Sequence, residues 1–198
     1  MLEKENKKIV LASTSPRRKE VLELLGMGFM VEKPTDCREV RLANPERTVV
    51  ENSIRKARNV SANLGTGNNY FIAGFDTIVY MGGKYFGKPK DRAEARHFVT
   101  GFSGTTHNVI SGVCILDSVT GKHYADFEKT EVEFRDLDED LINSYLDKEY
   151  VFDKAGGYNI GGLGSVLVKR INGCFYNVVG LPLAKFISLL EKVNYKIL

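Results

Sequence analysis

Two helices are predicted in the first third of the chain, and each follows a strand and opens with a capping residue and proline. Ser15-Pro16 comes directly after the apolar run IVLA at 9–12, which is typical of a strand buried on both faces. Asn44-Pro45 opens a longer helix with apolar residues at helical spacing. Those residues are Val50, Ile54, Ala57 and Leu64. With a second strand predicted over 29–32, this alternation indicates an α/β arrangement.

Hairpins are predicted in the rest of the chain. The apolar segment 70–81 is predicted to be a strand with an interruption at Gly74-Phe75-Asp76, and Gly82-Gly83 turns the chain back. The glycine-rich stretch 156–164 indicates a close backbone approach. Further strands are predicted over 109–116, 124–134 and 166–171, and further helices over 91–102, over 137–146 and from Pro182. Alternation in one half and hairpins in the other predict an α/β fold with a mixed sheet.

Composition narrows the class of protein without identifying it. The 198 residues suffice for one domain, 1–198, with a substantial core, and a net charge of +3 is too small for duplex-DNA binding through a general basic surface. The three cysteines are widely spaced and form no CxxC pair, which argues against a disulfide framework or a zinc ribbon. The charged start has no apolar h-region, and no apolar run is long enough to span a membrane, so a cytoplasmic location is expected.

The first candidate for chemistry is a strand-to-helix turn that carries Ser13, Arg17 and Arg18. The free N–H groups and the positive end of a helix favour an anion, and guanidinium groups match phosphate geometry. Arginines in a first helical turn oppose the helix dipole unless an anion compensates them. Two solvated arginines at an exposed helix start explain these residues equally well when they are taken alone.

Asp76 is a charged residue within an otherwise apolar strand segment. A carboxylate in that position is costly unless it is paired or bound to a metal. The functional interpretation is a general base or a ligand for a hard cation such as Mg²⁺. The alternative is a turn aspartate after Gly74, since aspartate is frequent in turns.

Two lysines and the histidines complete the candidates. Residues 82–88 fit the G-x-x-x-x-G-K frame of a P-loop, but Pro89 replaces the required Ser or Thr, so only a phosphate contact by Lys88 is retained. Lys56 lies at the rim of an apolar helix face, where a lysine usually has no special role. His107 is expected at a strand edge rather than as a base, and the three histidines have no zinc-binding spacing.

Seven segments of the chain follow one another in an order known from a single enzyme family. They are LASTSPRRKEVLELLG, GFDTIV, GKPKD, FSGTTHNVISGV, KTEVEFRDL, FDKAGGYNIGGLG and INGCFYNVVGLPL. In this order they resemble the Maf-like nucleoside triphosphate pyrophosphatases over nearly the whole chain. The resemblance implies an elongated mixed sheet flanked by helices, in two lobes with a central cleft. It also implies a cytoplasmic homodimer that hydrolyses nucleoside triphosphates to monophosphate and pyrophosphate with Mg²⁺ or Mn²⁺.

The same resemblance implies roles for individual residues. Asp76 takes the roles of proton acceptor and metal ligand, and Lys56 and Lys88 are the other catalytic residues. The substrate-binding residues are those that match the family's motifs. They are Ser13, Arg17, Arg18, Thr77 and Gly161.

Base preference is the point at which the chain departs from the family pattern. Arg17 and Thr77 resemble the branch that acts on dTTP and UTP, whereas Gly161 stands where that branch has Gln and offers no amide to a base edge. An altered or broader base preference is therefore the alternative. The family's acidic pair after the second strand is represented only by Asp36 and Glu39, which leaves open whether either takes part in the site.

Two functions from other classes are less well supported. A non-catalytic nucleotide sensor is expected to lack Asp76 or Lys88, and this chain has both. Binding of single-stranded nucleic acid requires aromatic residues among the basic ones, and 13–26 contains none. We therefore expect a nucleoside triphosphate as the partner, and neither a stable nucleic-acid complex nor a membrane.

Overall fold

The computed structural model describes residues 7–65 and 69–197, so the charged first six residues discussed above lie outside it. The strands are β1 (Lys8–Ala12), β2 (Phe29–Val31), β3 (Tyr70–Met81), β4 (Lys84–Phe86), β5 (Thr106–Asp117), β6 (His123–Phe134) and β7 (Val168–Asn172). The helices are α1 (Pro16–Leu24), α2 (Pro45–Leu64), α3 (Arg92–Phe102), α4 (Glu139–Lys148), α5 (Phe175–Val179) and α6 (Leu183–Lys192), with short 3₁₀ helices at Ala155–Gly157 and Leu163–Leu167. Among the described helices, none is long and apolar enough to cross a membrane.

The strands form one mixed seven-stranded sheet in the order β2-β1-β3-β5-β6-β7, with β4 paired to β3. The strand β1 runs parallel to β2 and β3, whereas the β3–β4 and β6–β7 pairs are antiparallel. The predicted α/β fold with a mixed sheet flanked by helices is therefore confirmed. The segment 70–81 is one continuous strand, so the predicted interruption at Gly74-Phe75-Asp76 is wrong.

The described residues divide into two compact units. The first consists of the residues up to Asp76, Ser111–Glu128 and the residues from Gly180 onward, and the second of Thr77–Ile110 and Lys129–Val179. The chain length predicts a single domain, and that remains a prediction, because a division into two compact units does not decide the number of domains.

In the first unit the long helix α2 packs on the sheet through Ala57 and Val60. Its backbone comes unusually close to two strands, both at glycines. A Cβ atom on Gly74 would lie 2.1 Å from the carbonyl oxygen of Ser53, and one on Gly112 would lie 2.2 Å from that of Val49. Because no side chain fits in these gaps, the two glycines determine how closely α2 approaches the sheet.

The buried face of α2 is more polar than the sequence pattern indicates. Its predicted start is confirmed, since Asn44 caps it by accepting a hydrogen bond from the N–H of Arg47. However, Val50 and Ile54 are only partly buried, and the fully buried positions include polar side chains. Those polar residues are Thr48, Asn52 and Ser53. Their polar atoms are satisfied within the protein: Thr48 donates to the Asn44 carbonyl, Ser53 to the Val50 carbonyl and Asn52 to the Val40 carbonyl.

The second unit encloses an aromatic core that contains a histidine. His107 is fully buried, stacks on Phe102 and lies 2.9 Å from the Tyr158 hydroxyl through Nε2. It is the second residue of β5, so it lies near the end of a strand as expected, but in the core. Burial lowers the pKa of His107 from 6.5 to about 3, so the ring is neutral in the folded protein.

Candidate active site

The Asp76 carboxylate is the centre of a buried polar cluster in the first unit. It lies on β3 with 4% of its surface exposed, and each of its oxygens accepts a hydrogen bond. Lys56 Nζ donates to Oδ1 over 2.6 Å, and Asn52 Nδ2 donates to Oδ2 over 2.9 Å. The interpretation as a turn aspartate is wrong, because the residue is part of a continuous strand and is paired there.

Lys56 joins two carboxylates. Its ammonium lies 2.6 Å from Asp76 Oδ1 and 2.7 Å from Glu39 Oε1, and 15% of its side chain is exposed. The Glu39 side chain is 60% exposed, so this second pair is open to solvent. Lys56 is therefore not an unpaired lysine at the rim of the apolar helix face, because it forms two ion pairs.

Glu39 rather than Asp36 is the acidic residue that reaches this cluster. Asp36 has a left-handed backbone (φ 53°) and makes no ion pair with Lys56 within the described part of the chain. Of these two acidic residues, Glu39 contacts Lys56, and its part in a functional site stays a prediction.

The turn after β1 brings Ser13 and Arg18 next to the same strand. Arg18 Nη1 donates to Ser13 Oγ over 3.0 Å and lies 3.4 Å from the carbonyl oxygen of Phe75, and Nε donates to the Gly180 carbonyl over 2.8 Å. Ser13 Oγ also accepts from the N–H of Ser15 over 3.2 Å. The Ser13 hydroxyl oxygen thus accepts two hydrogen bonds, which leaves its proton available for another acceptor.

Desolvation dominates the electrostatics of Arg18. It lowers the pKa of the guanidinium to about 10, and the nearby Asp76 carboxylate acts in the opposite direction. The group remains charged at neutral pH. Arg17, on the same helical turn, is partly exposed. Ser15 occupies the expected capping position of α1, but its side chain makes no capping hydrogen bond.

The other predicted site residues belong to the second unit. Thr77 follows Asp76 on β3, and Lys88 is exposed in the loop after β4. That loop is held by a hydrogen bond from the N–H of Gly156 to the carbonyl of Gly87 (3.0 Å). Gly161 is exposed and lies between the two 3₁₀ helices.

Asn159, next to the Gly161 position, uses one of its two amide protons within the protein. Its Nδ2 donates to Glu149 Oε1 over 3.2 Å. A Cβ atom added at Gly161 would have its nearest neighbour, Asn159 Oδ1, at 3.7 Å, which is an ordinary contact. A larger side chain at position 161 is therefore compatible with the local packing.

Comparison with known proteins places this sequence in a family. The profile of the family described as "Maf-like protein" matches residues 8–193. The chain belongs to the Maf family. Its relatives include a protein named dTTP/UTP pyrophosphatase from Clostridium kluyveri, 42% identical over 93% of this chain and 96% of the relative. Proteins of the same name occur in Pyrococcus furiosus (41% identical, 93% and 95% covered) and Caldicellulosiruptor saccharolyticus (38% identical, 97% and 98% covered).

Among solved structures, the Maf chain is similar to the Staphylococcus aureus Ham1 protein, with 15% sequence identity and a TM-score of 0.45. The match covers 65% of this chain and 72% of the other.

One residue of the polar cluster around Asp76 was missed in the sequence. Asn52 donates directly to Asp76, and it precedes Lys56 by four positions, so both lie on the same face of α2. The spacing from Lys56 was the available signal. A buried helix face is normally apolar, so an asparagine at this position does not contribute to the hydrophobic periodicity of α2.

The carboxylates of Asp76 and Glu39 are oxygen donors of the kind that a divalent cation prefers. Within residues 7–65 and 69–197, no group of three or more His, Cys, Asp or Glu side chains forms a complete metal cage. Mg²⁺ is usually held by one or two carboxylates together with substrate phosphates rather than by the protein alone. Asp76 and Glu39, paired with one ammonium, match that pattern.

Proposed function

We propose that this Maf protein hydrolyses nucleoside triphosphates between the α- and β-phosphates and releases a monophosphate and pyrophosphate. The observation that carries the proposal is the buried Asp76 carboxylate, held by Lys56 and Asn52 beside the turn of Ser13 and Arg18. The name dTTP/UTP pyrophosphatase, borne by relatives that match over nearly their whole length, supports dTTP and UTP as the first substrates to test.

Asp76 serves as the acceptor for the attacking water in this proposal. Its two oxygens are fixed by hydrogen bonds from Lys56 and Asn52, and each keeps a further lone pair. A carboxylate that cannot rotate holds a water proton in one direction, which lowers the cost of ordering the nucleophile. General base catalysis of this kind contributes roughly 10²–10⁴-fold.

The basic groups of the turn hold the triphosphate. Arg17 and the Ser13 hydroxyl bind phosphate oxygens at the N-terminal end of α1, where helical N–H groups also favour an anion. Arg18 contributes its fixed positive charge while it orients Ser13. Lys88 is proposed as a further phosphate contact on the basis of its G-K-P motif.

Asp76 and Glu39 would hold the divalent cation, for which we propose Mg²⁺ or Mn²⁺. When bound, such an ion supplies positive charge to the phosphate oxygens and lowers the pKa of a coordinated water. Lys56, placed between the two carboxylates, balances their negative charge when the ion is absent.

Base choice is proposed to involve Thr77 and the region of Gly161. Arg17 and Thr77 match the dTTP and UTP branch, while glycine at position 161 removes one amide that would read a base edge. A missing hydrogen bond weakens discrimination by about 0.5–1.5 kcal/mol. We therefore expect wider acceptance of CTP or purine triphosphates than in a protein with Gln at this position.

The proposal is tested by the products. Purified protein is incubated with UTP, dTTP, CTP, GTP and ATP in the presence of Mg²⁺ or Mn²⁺, and the products are separated by anion-exchange chromatography. We expect monophosphate and pyrophosphate in equal amounts. Diphosphate with inorganic phosphate would show a phosphatase instead, and tight nucleotide binding without turnover would show a sensor.

We also propose that the protein acts as a cytoplasmic homodimer, as the family resemblance implies. Light scattering behind size-exclusion chromatography measures the mass directly and compares it with 22.1 kDa for one chain. A monomeric mass at assay concentration would refute the dimer without affecting the proposed reaction.

A further inference from the structure

A stripe of polar side chains along α2 holds an irregular segment of the chain, residues 33–42, which we call the strap. The stripe consists of Thr48, Asn52, Lys56, Asn59 and Asn63. Asn59 exchanges two hydrogen bonds with the backbone of Thr35, both 2.8 Å long. Asn52 does the same with Val40, over 2.9 and 3.1 Å. Each asparagine thus pairs with the strap as a neighbouring strand would.

Asn52 and Asn59 differ in their remaining contact, which for Asn59 is a hydrogen bond from Asn63 Nδ2 over 3.4 Å and for Asn52 is a bond to Asp76. The Nδ2 group of Asn52 carries two protons; one goes to the Val40 carbonyl and the other to Asp76 Oδ2. With 2% of its surface exposed, Asn52 has no competing water on this side. A single amide therefore connects the strap to the carboxylate at the centre of the site.

This connection fixes the orientation of Asp76. With Lys56 bound to Oδ1 and Asn52 to Oδ2, rotation of the carboxylate about its terminal bond breaks at least one of two charge-assisted hydrogen bonds. The same amide binds the backbone of Val40, which is the neighbour of Glu39 on the strap. Asn52 therefore holds Asp76 directly and Glu39 through the strap.

We propose that Asn52 is a positioning residue for Asp76 in the reaction, an inference that rests on the proposed function. It does not contact the substrate. It holds the carboxylate and the strap in the arrangement in which Asp76 orients the attacking water. The alternative is that Asn52 is only a structural clamp on the strap, as Asn59 is.

Asn59 provides the matched control. Asn52→Ala and Asn59→Ala each remove a double clamp on the strap, but only the first removes a bond to Asp76. We expect kcat for UTP to fall roughly 10- to 100-fold in Asn52→Ala, with KM close to that of the wild type. Asn59→Ala is expected to keep a wild-type kcat. Equal kcat values in the two variants would overturn the proposal.

A double-mutant cycle tests whether Asn52 acts through Asp76. In an Asp76→Asn background the positioned carboxylate is already gone, so Asn52→Ala should lower the residual kcat no further. A clamp that acts independently of Asp76 would lower it again by the same factor, and that result would refute the proposal. Asn52→Asp serves if the alanine variant fails to fold, because it keeps an acceptor for the Val40 N–H but repels Asp76. We expect a loss of kcat at least as large as that of the alanine variant, and a wild-type kcat would refute the proposal.

The activity of the wild-type protein distinguishes a failure of the proposed function from a failure of the proposed role of Asn52. If it releases no pyrophosphate from any triphosphate, the proposed function fails, and the role of Asn52 in the reaction fails with it. The contact is then judged by the same cycle in urea unfolding, in which coupled residues give non-additive changes in the midpoint. If the wild type is active and Asn52→Ala retains full kcat, only the present inference fails.

Discussion

Replacing Gly74 by alanine should disable the site without changing any residue in it. Gly74 lies on β3, two positions before Asp76, beneath the backbone of α2. The new Cβ would lie 2.1 Å from the carbonyl oxygen of Ser53 and 3.0 Å from the Ala57 Cβ. Since carbon contacts are favourable only at about 3.5–4.0 Å, the helix must move away from the strand by roughly 1 Å.

That displacement acts on the two hydrogen bonds that span helix and strand. Lys56–Asp76 is 2.6 Å and Asn52–Asp76 is 2.9 Å, and lengthening either by about 1 Å exceeds hydrogen-bond range. Misplacement of that size costs about 10²-fold in rate. Overpacking also costs about 1–3 kcal/mol of stability, which corresponds to roughly 2–12 °C in Tm for a chain of this size.

The assay is kcat for UTP at saturating substrate, together with the thermal midpoint from circular dichroism. Gly101→Ala is the matched control, because Gly101 lies in α3 and an added Cβ would have no atom of another element within 4 Å. In a helix that exchange should stabilise the protein by about 0.5–1 kcal/mol and leave kcat unchanged. A Gly74→Ala protein with wild-type kcat and Tm would show that α2 does not depend on this close approach.

Three further predictions concern the site and the core. Asp76→Asn should lower kcat by roughly 10²–10⁴-fold in a protein that remains folded by circular dichroism, and a near wild-type kcat would remove Asp76 from the mechanism. Gly161→Gln should raise the kcat/KM ratio of UTP to CTP by roughly 2- to 12-fold, and unchanged ratios across five triphosphates would show that position 161 has no part in base choice. His107 binds a proton at about 6.5 when unfolded but only at about 3 when folded, so its protonation favours unfolding. The free energy of unfolding from urea titrations should therefore fall between pH 6.5 and 3 by up to about 1.4 kcal/mol per pH unit in the wild type, and His107→Gln should lack this component.

Several elements were predictable because their signals are local. Asn44 and Asp91 cap α2 and α3 through bonds to N–H groups three residues ahead, and these bonds depend only on nearby chain. The Gly82-Gly83 hairpin is confirmed for the same reason. The short helix α5 has no comparable start signal and was not predicted.

The position of Gly74 shows where local signals mislead. Glycine weakens a strand, so the sequence pattern predicts an interruption. In the folded protein, the absence of a side chain is what allows α2 to approach, and the strand continues. The polar face of α2 follows the same logic, since Thr48 and Asn52 are buried against the strap rather than against apolar side chains.

By itself, the sequence determined the order of helices and strands, the family, and the importance of a carboxylate in an apolar strand. Those properties follow from local hydrogen bonding, periodicity and the cost of burying a charge. Only the tertiary structure decided that Lys56 and Asn52 bind Asp76. It also decided that Glu39 binds Lys56. These contacts join residues that are not neighbours along the chain, and those to Asp76 depend on the close packing of α2 on glycines of the sheet, which no local pattern encodes.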